Sequence, residues 1–205
     1  MAARTHSVDP RAARVRTRLR AAAFALVHER PVDQMTVGDI VARASVSRQV
    51  FYQHFRDRDD AVATAFSVAF AAATADIDRI DGTAVGGGDA RSRILRLFDF
   101  AAEHRSMYRN IVPSSVTQRV VTAFRTELQP ACEEIAKHGM PVVSPIAGLT
   151  PESVSRFLVG GFMEVLRSWM EDPDSTDLSG RVRAALDTVN ALLGLTTAPK
   201  GPQHG

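Results

Sequence analysis

The chain of 205 residues has a single cysteine, Cys132. One thiol excludes an internal disulfide and cannot by itself build a cysteine-based metal site. No apolar run approaches the ~18–20 residues that a bilayer-spanning helix needs, so no membrane partner is expected. Two-residue apolar/polar alternation is missing throughout, which argues against sheet. There is no internal repeat. Acidic residues are nearly absent from the basic N-terminal stretch: the first twenty residues hold six Arg (4, 11, 14, 16, 18, 20) against Asp9.

The composition that remains is that of a soluble globular protein, 45% apolar and 23% charged. A chain of this length buries roughly 70% of its unfolded surface, enough for one or two small domains. The net charge of +2 hides an asymmetry. Residues 1–60 carry 11 Arg and seven Asp/Glu, whereas residues 61–205 carry 14 Lys/Arg and 16 Asp/Glu. Positive charge gathered at one end suits a polyanion. A mitochondrial presequence is also Arg-rich and acid-poor. Here, however, the apolar residues of Ala21–Val27 belong to a helical stripe followed at once by His-Glu-Arg, and a cytoplasmic location is expected.

Helical spacing runs along nearly the whole chain. A first helix is expected over Pro10–Glu29, with Val15, Leu19, Ala22, Leu26 and Val27 on one face and Arg11, Arg14 and Arg18 on another. Thr36 and Asp39 form a T-x-x-D capping box before a second helix carrying Val37, Ile40, Val41 and Ala44. Ser47 is the expected N-cap of a third, and Asp57-x-x-Asp60 opens a fourth that reaches about Arg79. Further helices are expected near 90–104, 106–111, 115–138, 151–171 and 177–193, with Pro130 kinking or dividing the 115–138 helix. Gly139–Leu149 reads as a linker, and Thr150-Pro151-Glu152 as a helix start.

The stretch Thr36–Arg58 carries the clearest chemistry. Val50, Phe51 and Phe55 fall on the back of the third helix, and Arg48, Gln49, Tyr52 and Gln53 on its front. An apolar back that fixes the helix angle and donors that reach base edges and phosphates are what a recognition helix needs. Thr36 and Ser47, at helix N-termini, suit phosphate.

These residues closely resemble the DNA-binding domain of the TetR family of bacterial transcription regulators. The family pattern is close to T-x-x-x-I-A-x-x-A-G-V-S, then a short helix ending Y-x-H/Y-F, then a lysine. The matching residues here are Thr36, Ile40, Ala44, Val46, Ser47, Tyr52, His54 and Phe55. Val41 replaces the usual alanine, Arg58 the lysine, and Ser45 the turn glycine, which asks Ser45 for a backbone conformation that glycine favours. The resemblance covers roughly residues 12–65. It implies an all-α fold: a three-helix N-terminal helix-turn-helix DNA-binding domain and a helical C-terminal ligand-binding and dimerisation domain. The expected division is a flexible basic arm over 1–9, the head over 10–57, an effector-binding and dimerisation domain over 58–195, and a disordered tail over 196–205. DNA contacts are expected from Thr36, Ser47, Arg48, Gln49, Tyr52, His54 and Arg58, with some N-terminal arginines on phosphate or in a minor groove.

For the C-terminal domain the resemblance implies a sensor pocket lined by Phe98, Met107, Tyr108, Phe124, Phe162 and Trp169, which would suit an apolar or aromatic effector. It also implies a homodimer through the last two helices, with Phe157, Gly161, Val182, Leu186 and Val189 at the interface. The pair Gly160-Gly161 costs roughly 1 kcal/mol per glycine in mid-helix, so a close helix approach is expected there.

No catalytic, cofactor or metal constellation emerges. Asp81–Gly88 is glycine-rich but lacks a following Gly-Lys-Ser/Thr and a preceding strand. His28–Glu29, Glu133–Glu134 and His138 lack i, i+4 histidine pairing. Glu103–His104 neighbours diverge on a helix, and Ser114-Ser115 has no nucleophile elbow. The expected function is a TetR-type regulator, a repressor bound to operator DNA as a homodimer and released by a small effector. The alternatives are a ligand-independent or nucleoid-type DNA-binding protein, and an enzyme or carrier using the C-terminal cavity.

Overall fold

A computed structural model of the chain describes residues 10–80, 88–112, 114–143, 145–146, 148–172, 174 and 176–195. The expected basic arm over 1–9, most of the glycine-rich stretch and the tail over 196–205 lie outside these residues.

All regular structure among the described residues is helical. The elements are α1 (Pro10–Glu29), a 3-10 turn (Val32–Gln34), α2 (Val37–Ala44), α3 (Arg48–Tyr52), α4 (Arg58–Ile80) and α5 (Gly88–Glu103). They continue with α6 (Arg105–Ile111), α7 (Thr117–Val143), α8 (Pro151–Glu171) and α9 (Leu178–Leu192). The chain divides into two compact units, one of Met1–Ala73 with Glu103–Ala123, the other of Thr74–Ala102 with Phe124–Gly205.

In the first unit the stripe expected on α1 is the buried one: Leu19, Ala22, Leu26 and Val27 are buried and Ala23 joins them. Ile40 of α2, Phe51 of α3 and Phe55 complete the head's core. Each such side chain contributes about 1.5–3 kcal/mol through burial. Further along, Phe66 stacks on Phe70 with centroids 5.3 Å apart, and Tyr108 meets Phe66 edge-on at 5.9 Å. Asn110 of α6 donates from Nδ2 to the Val27 carbonyl at 2.8 Å, satisfying an end carbonyl of α1.

The second unit buries Ile94, Leu97, Phe98, Phe124, Leu128, Cys132, Leu158, Phe162, Trp169, Val182 and Leu186. Its α8 starts as expected, with Thr150 as N-cap in a reciprocal box with Ser153 and Pro151 in the first turn.

The expectations about α7 are corrected. It is one helix that runs through both Pro130 and Pro141 to Val143, so Gly139–Val143 are helical and not linker. Buried Phe124, Leu128, Ala131, Cys132, Ile135 and Ala136 flank Pro130 on both sides, and that packing carries the helix across the missing N–H. Gly139 is where Leu193 closes on α7: a Cβ there would stand 2.8 Å from Leu193 Cδ1. On α8, a Cβ on Gly160 or Gly161 would meet nothing within 4 Å among the described residues.

Candidate nucleic-acid interface

The head is assembled by local capping that the sequence encodes residue by residue. Thr36 Oγ1 accepts from the Asp39 N–H at 3.1 Å, and the Asp39 carboxylate accepts from the Thr36 N–H at 2.8 Å. The bond from the Thr36 side chain is the main reason the Asp39 carboxyl sits below the ordinary carboxylate range. Ser45 ends α2 in the left-handed region, φ 51° and ψ 51°, the conformation expected of a glycine stand-in. Arg18 of α1 holds this turn: its Nη2 donates to the Ala44 carbonyl and, at 3.2 Å, to that of Ser45. Ser47 then caps α3 by accepting from the Val50 N–H at 3.3 Å.

With the turn fixed, α3 presents two unlike faces. Phe51 and Phe55 are buried and Val50 is half-buried, whereas Arg48, Gln49, Tyr52 and Gln53 are exposed. Tyr52 keeps 58% of its surface in solvent while its ring rests edge-on against Phe51 at 5.4 Å. Thr36 and Ser47 are exposed as well, and His54 is half-buried.

The arginines of the head differ in what holds them. Arg18 binds carbonyls, and Arg43 makes a two-pronged pair with Glu29 at 2.6 and 2.9 Å. Arg58 donates to Asp59 Oδ1 at 2.7 Å and to the Met35 carbonyl at 3.0 Å, tying the start of α4 to the segment before α2. Arg16 lies over the Phe55 ring, 5.7 Å from its centroid. Arg48, like Arg14 on α1, has no hydrogen bond, ion pair or ring contact among the described residues. Surface donors without internal partners, borne on a rigid helix with an apolar back, can satisfy themselves only on something outside the chain.

Residues 19–63 match the model of bacterial regulatory proteins, tetR family. This head is a TetR-family DNA-binding domain. The rest of the chain follows the same fold as solved regulators of that kind. The transcriptional regulator FadR of Bacillus subtilis, in complex with stearoyl-CoA, superposes with a TM-score of 0.65 at 16% identity, covering 84% of this chain and 96% of that one. FadR of Bacillus halodurans, a fatty acid degradation regulator, gives 0.62 at 16% identity over 89% and 96%. A TetR transcriptional regulator from Rhodococcus sp. RHA1 gives 0.55 at 18% identity over 86% and 96%. No curated protein sequence matches the chain. The TetR-family head thus sits in an all-helical chain with the family's architecture, and no described helix is long and apolar enough to cross a membrane.

Beyond the TetR head, the six aromatic and methionine side chains expected at a pocket are all buried. They fall into two groups. Phe98, Phe124, Phe162 and Trp169 belong to the second unit, where Phe98 meets Phe124 edge-on at 5.2 Å and Phe162 at 6.2 Å. Met107 and Tyr108 belong to the first. Burial drives the Tyr108 hydroxyl far above its ordinary pKa, so it stays neutral. Of the residues expected at a dimer interface, Phe157 is 77% exposed and Gly161 is exposed. Val182 and Leu186 are wholly buried in the chain's own core, and Val189 is half-buried.

Sequence reasoning passed over three features. Arg18 falls by spacing on the face with Arg11 and Arg14, but its bonds close the α2 turn. His28 Nδ1 lies 2.7 Å from the Phe24 carbonyl and its Nε2 lies 3.0 Å from His104 Nδ1, with the Phe24 ring edge-on to both imidazoles. Gly38 lies beneath the Arg48 guanidinium. Only the last left a trace in the sequence: a glycine in the first turn of a well-capped helix.

Proposed function

We propose that the protein is a homodimeric, effector-responsive transcriptional repressor of the TetR type, acting in the cytoplasm. The observation that carries this is the uncommitted front of α3: Arg48, Gln49 and Tyr52 are exposed beside the capped N-termini at Thr36 and Ser47. His54 and Arg58 would support the contact at its edge, Arg58 chiefly by fixing the segment before α2. Residues 10–57 form the reading head and residues 58–195 the effector-binding and dimerisation domain.

The second copy would dock on the face of α8 and α9 that this chain leaves open. Phe157, Gly160 and Gly161 lie there on α8, and Leu192 on α9 is 70% exposed. A Cβ-free surface at Gly160 and Gly161 admits a partner helix closely. The effector would be largely apolar, held among Phe98, Phe124, Phe162 and Trp169; a stearoyl-CoA complex of a similarly folded regulator supports that class. Effector binding would shift the balance between head arrangements through α4, whose residues are divided between the two compact units. No catalytic step, cofactor or metal belongs to this reading.

The test uses a duplex enriched by the full-length protein from random DNA. Arg48→Ala or Tyr52→Ala should weaken its binding about tenfold or more, the scale of one lost base contact, with an unchanged far-ultraviolet circular dichroism spectrum. Equal affinity for the enriched duplex and for unrelated DNA would favour the nucleoid-type alternative. Unchanged affinity in both variants would sink the recognition-helix assignment.

A further inference from the structure

Gly38 occupies the second position of α2, behind the N-cap Thr36. Its φ is not in the left-handed region, so backbone geometry does not require glycine there. Alanine would favour the helix more. What glycine provides is space: a Cβ at this position would lie 3.0 Å from Arg48 Nη2 and 3.2 Å from Thr36 Oγ1. The guanidinium of α3 therefore lies across the first turn of α2, where a side chain would otherwise stand.

Nothing internal accounts for that placement. Arg48 is exposed and makes no hydrogen bond or ion pair among the described residues. The carboxylate of that turn, Asp39, already accepts from the Thr36 N–H and Oγ1, each at 2.8 Å, and pairs with Arg30 at 3.4 Å. The first turn of a helix also carries positive partial charge, so a cation laid over it opposes folding instead of favouring it.

We infer that Gly38 is a positioning residue for DNA recognition, kept free of a side chain so that Arg48 can lie over α2 in the orientation that meets DNA. The inference rests on the regulator reading above. A methyl group at position 38 meets the far end of the flexible Arg48 side chain at 3.0 Å, which can swing away at little cost to the fold, and the capping hydroxyl of Thr36 at 3.2 Å, which has to give by a few tenths of an ångström. The consequence is a substitution that leaves the head intact, or firmer, yet reads DNA less well.

A double-mutant cycle tests this on the full-length protein with the same enriched duplex, Kd being read by fluorescence anisotropy and Tm by circular dichroism. Gly38→Ala should raise Kd about fivefold, a coupling of ordinary size for residues in contact, while Tm holds or rises. Adding Gly38→Ala to Arg48→Ala should change Kd less than about twofold, since the side chain it displaces is gone. An equal loss in both backgrounds, or no loss in either, would overturn the role of Gly38. Arg48→Ala binding like the unmodified protein would overturn the role of Gly38, and would take the recognition-helix reading with it only if Tyr52→Ala also bound unchanged.

Discussion

The two units of this chain put the same kinds of side chain to opposite uses. In the head, aromatic residues divide: Phe51 and Phe55 are buried, while Tyr52 next to them is 58% exposed. In the second unit the aromatics implied in ligand binding, Phe98, Phe124, Phe162 and Trp169, are all turned inward, and the large exposed ring is Phe157 on α8. A surface reader must show polar groups at fixed spacing, so its function is written in the order of its residues. A helical sensor holds its ligand with the residue types that also build a core, so its function is not visible in composition.

The largest effects should come from the buried half of the head. Phe51→Ala removes a ring with no exposed surface that touches both Tyr52 and Phe55, and should cost about 3–5 kcal/mol. Urea denaturation followed by circular dichroism should show loss of the head's helices and, with them, of DNA binding. The same truncation at exposed Phe157 should change the stability of a single subunit by about 0.5 kcal/mol or less, and act instead on association measured by sedimentation. If Phe157→Ala were the more destabilising of the two at protein concentrations where only single subunits exist, the contrast between inward and outward rings would be wrong.

That contrast also explains what could be read in advance. The Thr36 and Thr150 caps, the Ser47 cap and the faces of α3 were legible because each depends on contacts within a few residues. The end of α7 was not. Pro141 and Gly139 look like linker residues locally, but Leu193 and Gly194, far along the chain, close on Gly139 and Val142 of this last stretch. Arg18 shows the same limit inside the head. Its spacing puts it on the face with Arg11 and Arg14, but its bonds to the Ala44 and Ser45 carbonyls come from a partner 26 residues away. Val182 and Leu186 were indistinguishable in sequence from interface residues, because a helix stripe does not say which surface covers it.

A smaller effect tests the one backbone departure in the head. Ser45 sits at φ 51° and ψ 51°, a region that costs a residue with a Cβ about 1 kcal/mol and costs glycine almost nothing. Arg18 reaches the carbonyl of this residue and not its side chain, so the clasp survives substitution. Ser45→Gly should therefore stabilise the head by up to about 1 kcal/mol, less whatever freedom glycine adds to the unfolded chain. No gain in thermal or urea stability would mean that the Ser45 side chain makes a contribution absent from the bonds described.

The smallest effect separates the two units by pH. Burial first, and then the neighbouring His28, lower the pKa of His104 from its ordinary 6.5, with Glu103 opposing them. The tautomers follow from the partners: the Phe24 carbonyl can only accept, so His28 Nδ1 carries a proton, and in the neutral pair His104 Nδ1 donates to His28 Nε2. A histidine whose folded pKa is depressed binds fewer protons folded than unfolded. Its contribution is therefore fully present above about pH 6.5 and is lost as the pH falls below that value toward the folded pKa. The lowered carboxylates of the same unit, Glu29, Asp39, Asp59 and Asp60, lose their contribution only at still lower pH, below the ordinary 4.5 of Glu29 and 3.8 of the aspartates. Between pH 7.5 and 5.5 amide-exchange protection should therefore fall in α1, which carries His28, and in α6, which His104 immediately precedes, and hold in α8 and α9. His104→Phe should flatten the change in α1 and α6. A loss of protection of equal size in α8 and α9, or one unaltered by His104→Phe, would show that the acid response does not arise at the histidine pair.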